Sequence, residues 1–416
     1  MELISGLKRT EAGVIPEDWR VETIANCCDY ADYRGKTPPK TPSGIFLITA
    51  RNVRKGFIDY SESQEYVPIN LYEEIMRRGK PRIGDVLITT EAPLGNVAQV
   101  DREDVALAQR IIKYRPKTHE LYPDYLKYYF LSSRFQEILN AHGSGTTAKG
   151  IKGRVLHQLP VVLPSPEEQR AISTVLIDLD SLIVRIEQFI AKKRDLKQAV
   201  MQQLLTGQTR LPGFSGSWKT KTLGEIATIK DGTHQTPNYV PSGIPFYSVE
   251  HVTSGDFANT KFISEDEHQF LTKSYKIEKG DILMTRIGSI GDCKLIDWDV
   301  NASFYVSLAL LKIQPGNSAA YVVHYSRSVS FQNEIEIHSL PSAIPRKINL
   351  GPISKIKIVL PELNEQNAIA SVLTDMDAEL AILEQRLAKT RDLKQAMMQE
   401  LLTGKTRLVT SEAIHA

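Results

Sequence analysis

Leu163-Pro164-Ser165-Pro166-Glu167-Glu168-Gln169 opens a stretch that closes on Leu204-Leu205-Thr206-Gly207-Gln208-Thr209-Arg210-Leu211. The pattern returns as Leu360-Pro361, then Glu365-Gln366, then Leu401-Leu402-Thr403-Gly404-Lys405-Thr406-Arg407-Leu408. The offset stays at 197 residues, Gln169 answering Gln366 and Gly207 answering Gly404. An internal repeat of this kind dictates the fold before any local reading does.

Each copy has the period of one long amphipathic helix. In the first, Ile172, Val175, Leu179, Leu182, Ile186, Phe189, Leu196 and Val200 keep a three-four alternation, with Lys193 at one seam position. In the second, Ile369, Val372, Met376, Leu383, Leu393 and Met397 do the same, with Thr390 in place of Lys193. Ser165 is placed to cap the first helix, Pro166 suits its first position and Glu168 completes a capping box. Gly207 and Gly404 stand where a helix ends on a left-handed residue. Acidic Glu167, Glu168, Asp178 and Asp180 come early and basic Lys192, Lys193, Arg194 and Lys197 late, as the helix dipole favours. An apolar seam of this length needs a partner, and the nearest is the other copy. At about 1.5 Å per residue, about 40 residues span roughly 60 Å, so the helix reads as a spacer. The plainer alternative is a coiled coil that only pairs two chains.

The chain has 416 residues, 42% hydrophobic and 24% charged, which suggests two to four globular domains. No run of about 18 apolar residues and no signal peptide is read, so a cytoplasmic protein without a membrane span is expected. Cys27, Cys28 and Cys293 form neither a disulfide framework nor a zinc pattern. A formal net charge of +2 says little about partners, so a nucleic-acid surface must come from clustering.

Between the helices lie two globular segments of one plan. Trp19-Arg20-Val21-Glu22-Thr23-Ile24 answers Trp218-Lys219-Thr220-Lys221-Thr222-Leu223, and Gly84-Asp85-Val86-Leu87 answers Gly280-Asp281-Ile282-Leu283. Short helices at 125–136 and 321–332 and loops at 143–154 and 339–349 complete the plan. Strands and helices mixed irregularly predict an α+β fold. The helices keep most of their residues between copies, whereas the globular segments share a skeleton and few loop residues. Leu3-Ile4-Ser5-Gly6-Leu7-Lys8-Arg9 also echoes Leu204 to Arg210, so the repeat reads as circularly permuted, with the two termini near each other.

Leu163-Pro164, Glu168-Gln169, Arg194-Asp195-Leu196-Lys197-Gln198-Ala199 and Leu204 to Gly207, with their second set Leu360-Pro361, Glu365-Gln366, Arg391 to Ala396 and Leu401 to Gly404, carry a resemblance. The chain resembles the specificity subunit of type I restriction-modification enzymes along essentially its whole length. The resemblance implies a target recognition domain at 1–162, a first spacer helix at 163–211, a second recognition domain at 212–359 and a second spacer helix at 360–416. It implies that the helices pack as an antiparallel coiled coil with a pseudo-two-fold relation, fixing the gap between two halves of an asymmetric site on double-stranded DNA. Two methyltransferase subunits would dock around that pair, with restriction and translocase subunits beyond. S-adenosylmethionine, ATP and Mg would sit on those partners and no cofactor on this chain. A self-contained DNA-modifying enzyme and a scaffold that binds protein rather than DNA are the alternatives.

The candidate DNA-binding residues lie in basic loops: Arg34, Lys36 and Lys40 with Lys230 and His234, then Arg51, Asn52 and Arg54, then Arg286, and in the late loops Lys149, Lys152, Arg154, Arg346 and Lys347. Lysines there suit phosphate, whereas Arg51, Asn52 or Arg286 could make bidentate contacts to a base edge. His251 and Glu250 align with Asn52 and Arg51, and an acid is a poor phosphate ligand. No catalytic or metal site is read. Gly404-Lys405-Thr406 is not a phosphate loop, because Gln399 stands where its leading glycine belongs. Asp195-Leu196-Lys197 lies within the heptads, Thr37-Pro38-Pro39-Lys40 lacks the amide and aromatic that a flipped base requires, and the nine histidines show no ligand spacing.

Proline at Leu196 is expected to break the spacer, costing about 3 kcal/mol or more, and to abolish methylation at a split site. Full methylation by the Leu196→Pro protein would show that the stretch is not a continuous helix.

Overall fold

The computed structural model describes residues 6–33, 37–117, 120–145, 149–340 and 342–409. The chain divides into two compact units, one built from residues 1–187 and 386–416 and the other from 188–385. Each long helix, Pro166–Leu205 and Leu363–Leu401, is therefore shared between both units.

In the first unit an antiparallel sheet runs in the order Cys28–Asp32, Ile111–Pro116, Val86–Thr90, Leu94–Gln99. A smaller sheet joins Tyr66–Val67, Ile45–Ile48 and Val105–Leu107, the last two in parallel. Arg20–Thr23 pairs with Pro160–Leu163, which brings the domain's start beside the strand that feeds the long helix. The second unit repeats the plan with Ala227–Asp231, Leu308–Ile313, Ile282–Thr285 and Cys293–Leu295, and pairs Lys219–Thr222 with Lys357–Leu360. Helices Pro123–Leu131 and Ser133–His142 bury Tyr125, Tyr128, Tyr129, Phe130 and Phe135 in the first core. Ala319–Ser326 and Val329–His338 bury Tyr321, Tyr325 and Phe331 in the second. The expected α+β architecture, with the same plan in both units, is what the chain adopts.

The Glu-Gln pair at each helix start has a structural reason. Gln169 Oε1 accepts from the Tyr122 amide at 3.0 Å while Nε2 donates to the carbonyls of Glu120 and Pro164. Gln366 does the same work on the Ser318 amide and the Pro361 carbonyl. One fully buried amide thus joins the spacer to the domain's own helical segment. Ser165 caps as expected, accepting from the Glu168 amide at 3.2 Å, but Glu168 does not complete a capping box. Its carboxylate accepts from Arg407 at 2.6 and 2.8 Å and from Trp19 Nε1 at 3.0 Å, because a guanidinium and an indole hold a buried carboxylate better than one backbone amide does. Arg210 holds Glu365 in the same manner, at 2.5 and 2.6 Å.

Within each unit the helix segments run antiparallel. In the first, Asp180 meets Lys394 and Glu187 meets Arg391. In the second, Glu379 meets Lys193 at 2.7 Å, Asp377 meets Lys197 and Glu384 meets Arg194. The seam differs from its expected phase. The shared positions Ile172, Leu179, Ile186, Lys193 and Val200 hold, as do Ile369, Met376, Leu383, Thr390 and Met397. The intervening positions fall one residue later, on Leu176, Ile183, Ile190, Lys197 and Leu204, and on Leu373, Leu380, Leu387, Lys394 and Leu401. Phe189, Leu196 and Leu393 consequently lie 45%, 51% and 51% exposed. Val175 and Val372 are half-buried against their own domain cores rather than at the seam. A three-four repeat can be phased either way where both neighbours are apolar, and here the charge partners of Lys197 and Lys394 decide the phase.

Gly207 and Gly404 adopt φ of 71° and 70°, as a helix-ending residue must. A side chain at Gly404 would come within 2.4 Å of Pro16. Arg407 also pairs with Asp18 at 2.8 Å, so the chain's last described turn packs on residues 16–19, as the permuted repeat requires. Leu7–Thr10 forms a hairpin with Gly13–Pro16, so its likeness to a helix end is one of sequence only; Leu3 to Ser5 lie outside the described residues.

His324 sits between its domain and the long helix, with Nε2 3.0 Å from Thr374 Oγ1 and Nδ1 4.0 Å from Asp377. Burial, then Arg327, push its pKa down to about 4, against the pull of Asp377. The unfolded chain binds this proton from about pH 6.5 downward and the folded chain does not, so stability falls as pH drops through that window, by up to about 3 kcal/mol near pH 4. Melting curves of His324→Gln are expected to lose that part of the acid slope; an unchanged slope would mean that the imidazole is already charged in the fold.

Candidate nucleic-acid interface

The loops named from sequence converge at one end of the main sheet in each unit. In the first, Gln109 Nε2 donates to Thr37 Oγ1 at 3.1 Å, joining the early loop to the turn before Ile111. Arg110 stands 4.0 Å from Glu91, and Glu91 bridges to Gly150 in the late loop. Ile151 donates to the carbonyl of Thr90 at 2.9 Å. A cleft of about 290 Å³ lies among Lys40, Arg51, Gln109 and Arg110. In the second unit Thr233 bridges to Tyr305, Ile287 to Lys347, and Ile348 donates to the Arg286 carbonyl at 2.9 Å. Lys230, His234, Arg346 and Lys347 are exposed around this frame.

Several sequence candidates prove to have other work. Asn52 is fully buried, its Oδ1 accepting from the Thr49 amide at 2.9 Å and its Nδ2 donating to the carbonyls of Asp59 and Ser63. No donor or acceptor is left on it for a base edge. His251 makes the matching turn in the second unit, Nδ1 accepting from the Ser248 amide at 2.9 Å, so the aligned pair is a loop staple in both units. Arg286 is buried too: Nε donates to Ile348 O at 3.2 Å and a terminal nitrogen to Val306 O at 3.0 Å, 3.4 Å from Asp231. It ties three loops together and cannot also reach a base. Arg54 is held by Glu62 at 2.8 Å and Lys40 by Glu65 at 2.8 Å, His234 pairs with Asp231, and Arg346 with Glu336 at 2.6 Å. Arg51, Lys149, Lys152 and Arg154 are exposed. Arg34 and Lys36 lie outside the described residues.

Sequence reasoning missed Gln109 and Arg110. Arg110 has φ of 74°, a left-handed conformation that costs a non-glycine residue about 1 kcal/mol or more and that clusters at functional sites. Its signal was a polar pair, Gln-Arg, set directly between two buried strands. Among the described residues no group of acidic, histidine and cysteine side chains could hold a metal ion, and no helix is long and apolar enough to cross a membrane.

Two separate frames with the same backbone links and different side chains describe paired readers, and comparison with known proteins agrees. A sequence profile described as the type I restriction modification DNA specificity domain matches residues 16–198 and again 216–390. The chain belongs to this specificity family. It is similar to the putative type I restriction enzyme MjaX specificity subunit of Methanocaldococcus jannaschii, 26% identical with 97% of each chain covered. It is also similar to the EcoBI specificity subunit of Escherichia coli, 22% identical over 92% of this chain and 85% of that one. In fold it matches the type I system S subunit from M. genitalium with a TM-score of 0.61, at 15% identity, covering 96% of this chain and 98% of the other. The chain is thus a DNA-specificity subunit of a type I restriction-modification system, a recognition chain rather than an enzyme in its own right.

Because Arg286 is a buried tie, Arg286→Ala is expected to lower the thermal midpoint, costing about 2 kcal/mol or more. A variant of wild-type stability that merely reads its DNA less strictly would return Arg286 to the role of base reader.

Proposed function

We propose that each domain of this specificity subunit reads one half of a split, asymmetric site on double-stranded DNA, and that the helix pair sets the gap between the halves. The observation that carries this reading is a repeated frame with changed surface: Arg110 stands where Ser307 does, accepting from the amides of Thr90 and Arg286, and Gly150 where Lys347 does, bridged to Glu91 and Ile287. Identical frames with unlike side chains suit two different half-sites. Phosphate contacts would come from the exposed Arg51, Lys149, Lys152 and Arg154 in the first domain, and from Lys230 and Lys347 in the second. Arg34 and Lys36 belong to the same basic stretch of sequence as Lys40. Arg110 and Gln109 have the chemistry to read a base edge at the mouth of their cleft.

On this reading the chain scaffolds two methyltransferase subunits, with restriction and translocase subunits in the full cytoplasmic complex. S-adenosylmethionine, ATP and Mg are cofactors of those partners; this chain supplies the address. Affinity should fall steeply with salt, with a slope of about −0.9 for each phosphate neutralised.

Long-read methylation sequencing of host DNA, with the gene intact and with it deleted, tests the reading. The expected result is one asymmetric motif, split by a fixed gap, whose methyladenine disappears on deletion. A host whose methylated motifs survive deletion unchanged, while its methyltransferase subunits are expressed, would contradict it.

A further inference from the structure

Ile344 is 100% exposed, in a loop of the second domain where basic Arg346 and Lys347 follow after Pro345. A partly exposed aliphatic side chain is ordinary on any protein surface. A wholly exposed one on an anchored loop is not. The Leu340 amide donates to Lys347 O at 2.9 Å, Gly288 to Arg346 O at 2.8 Å, Ile348 to Arg286 O at 2.9 Å, and Ala343 to Leu340 O at 3.2 Å. Arg346 is further held by Glu336. The base of the loop is thus bonded on both sides, and its tip carries Ile344-Pro345 outward. In sequence Thr147-Ala148 of the first segment align with Ile344-Pro345, so the isoleucine is found in the second copy only.

We infer that Ile344 reads DNA by apolar contact with a base in the half-site of the second domain, while the exposed Lys347 holds a phosphate. The inference rests on the proposed specificity role and names a reader within it. A β-branched side chain is restricted at χ1 and so loses little freedom on contact, which suits a probe. Two base surfaces offer the matching chemistry: the 5-methyl group of thymine in the major groove, and the face of a base exposed by unstacking a step.

The test uses the assembled complex, carrying wild-type chain or Ile344→Ala, on three duplexes. These are the methylated motif, the same motif with uracil for each thymine of the second-domain half, and an unrelated sequence. Ile344→Ala is expected to weaken binding to the motif about tenfold and to leave both the unrelated duplex and the salt slope unchanged. If wild type loses a similar factor on the uracil duplex and the variant loses nothing further there, the surface is the thymine methyl. If the variant weakens thymine and uracil duplexes alike, and 2-aminopurine in that half brightens only with wild type, the side chain enters an opened base step. Either result supports the inference. Motif affinity within about twofold of wild type, equal losses on motif and unrelated DNA, or loss of the partner subunits from the complex overturns it. A wild-type complex without preference for the motif overturns the specificity reading itself, before any variant is compared.

Discussion

Everything in the two units hangs on a buried carboxylate at the head of each long helix. Glu168 and Glu365 are 1% and 2% exposed, and a lone carboxylate so placed would cost several kcal/mol. Each is satisfied by an arginine from just beyond the tail of the other helix, Arg407 for Glu168 and Arg210 for Glu365. The guanidinium of Arg407 also lies over Trp19, and that of Arg210 over Trp218, both with 5.5 Å to the ring centroid. The carboxylate pushes the Arg407 pKa upward, and Arg407 in turn holds the Asp18 carboxyl below its usual range. In the second unit the chain runs from Arg210 into Trp218 through a short loop. In the first unit the same packing is made by residues from opposite ends of the sequence, Trp19 and Arg407. Both units thus have the ion pair, and in the first it joins stretches that the second also links along the chain.

A second constraint sets the register of the helices. Lys197 and Lys394 occupy seam positions, where an amphipathic reading puts leucine. They are tolerated because Asp377 and Asp180 face them, and each aspartate also engages its own domain: Asp377 through Arg327 at 3.0 Å, Asp180 through the Tyr128 hydroxyl at 2.7 Å. A polar layer of this kind specifies one phase, since any slip would strand a charge. It also adds a polar link between each domain and the spacer.

The repeat, the helix ends and the α+β class were legible in the sequence, because they follow from spacing and from backbone needs such as the left-handed glycines 207 and 404. The phase of the seam was not, because hydrophobicity ranks Leu196 above Lys197 and says nothing about Asp377. The loop bases were legible as clusters of basic and polar residues. The roles within them were not, since a buried Asn52 or Arg286 has the same letter as an exposed one, and only the carbonyls that each reaches show its use. Arg110 showed in the sequence only as half of a polar pair between buried strands, and the left-handed angle that sets it apart is not written there.

A double-mutant cycle on Glu168→Gln and Arg407→Gln, read as unfolding free energy of the whole chain, tests this account most directly. If the buried pair closes the first unit, each single change should destabilise strongly and the pair should show a coupling of about 1.5 kcal/mol or more, the double variant costing little beyond either single one. Costs that simply add would contradict the account, placing the closure of the unit in its apolar core and leaving the ion pair incidental.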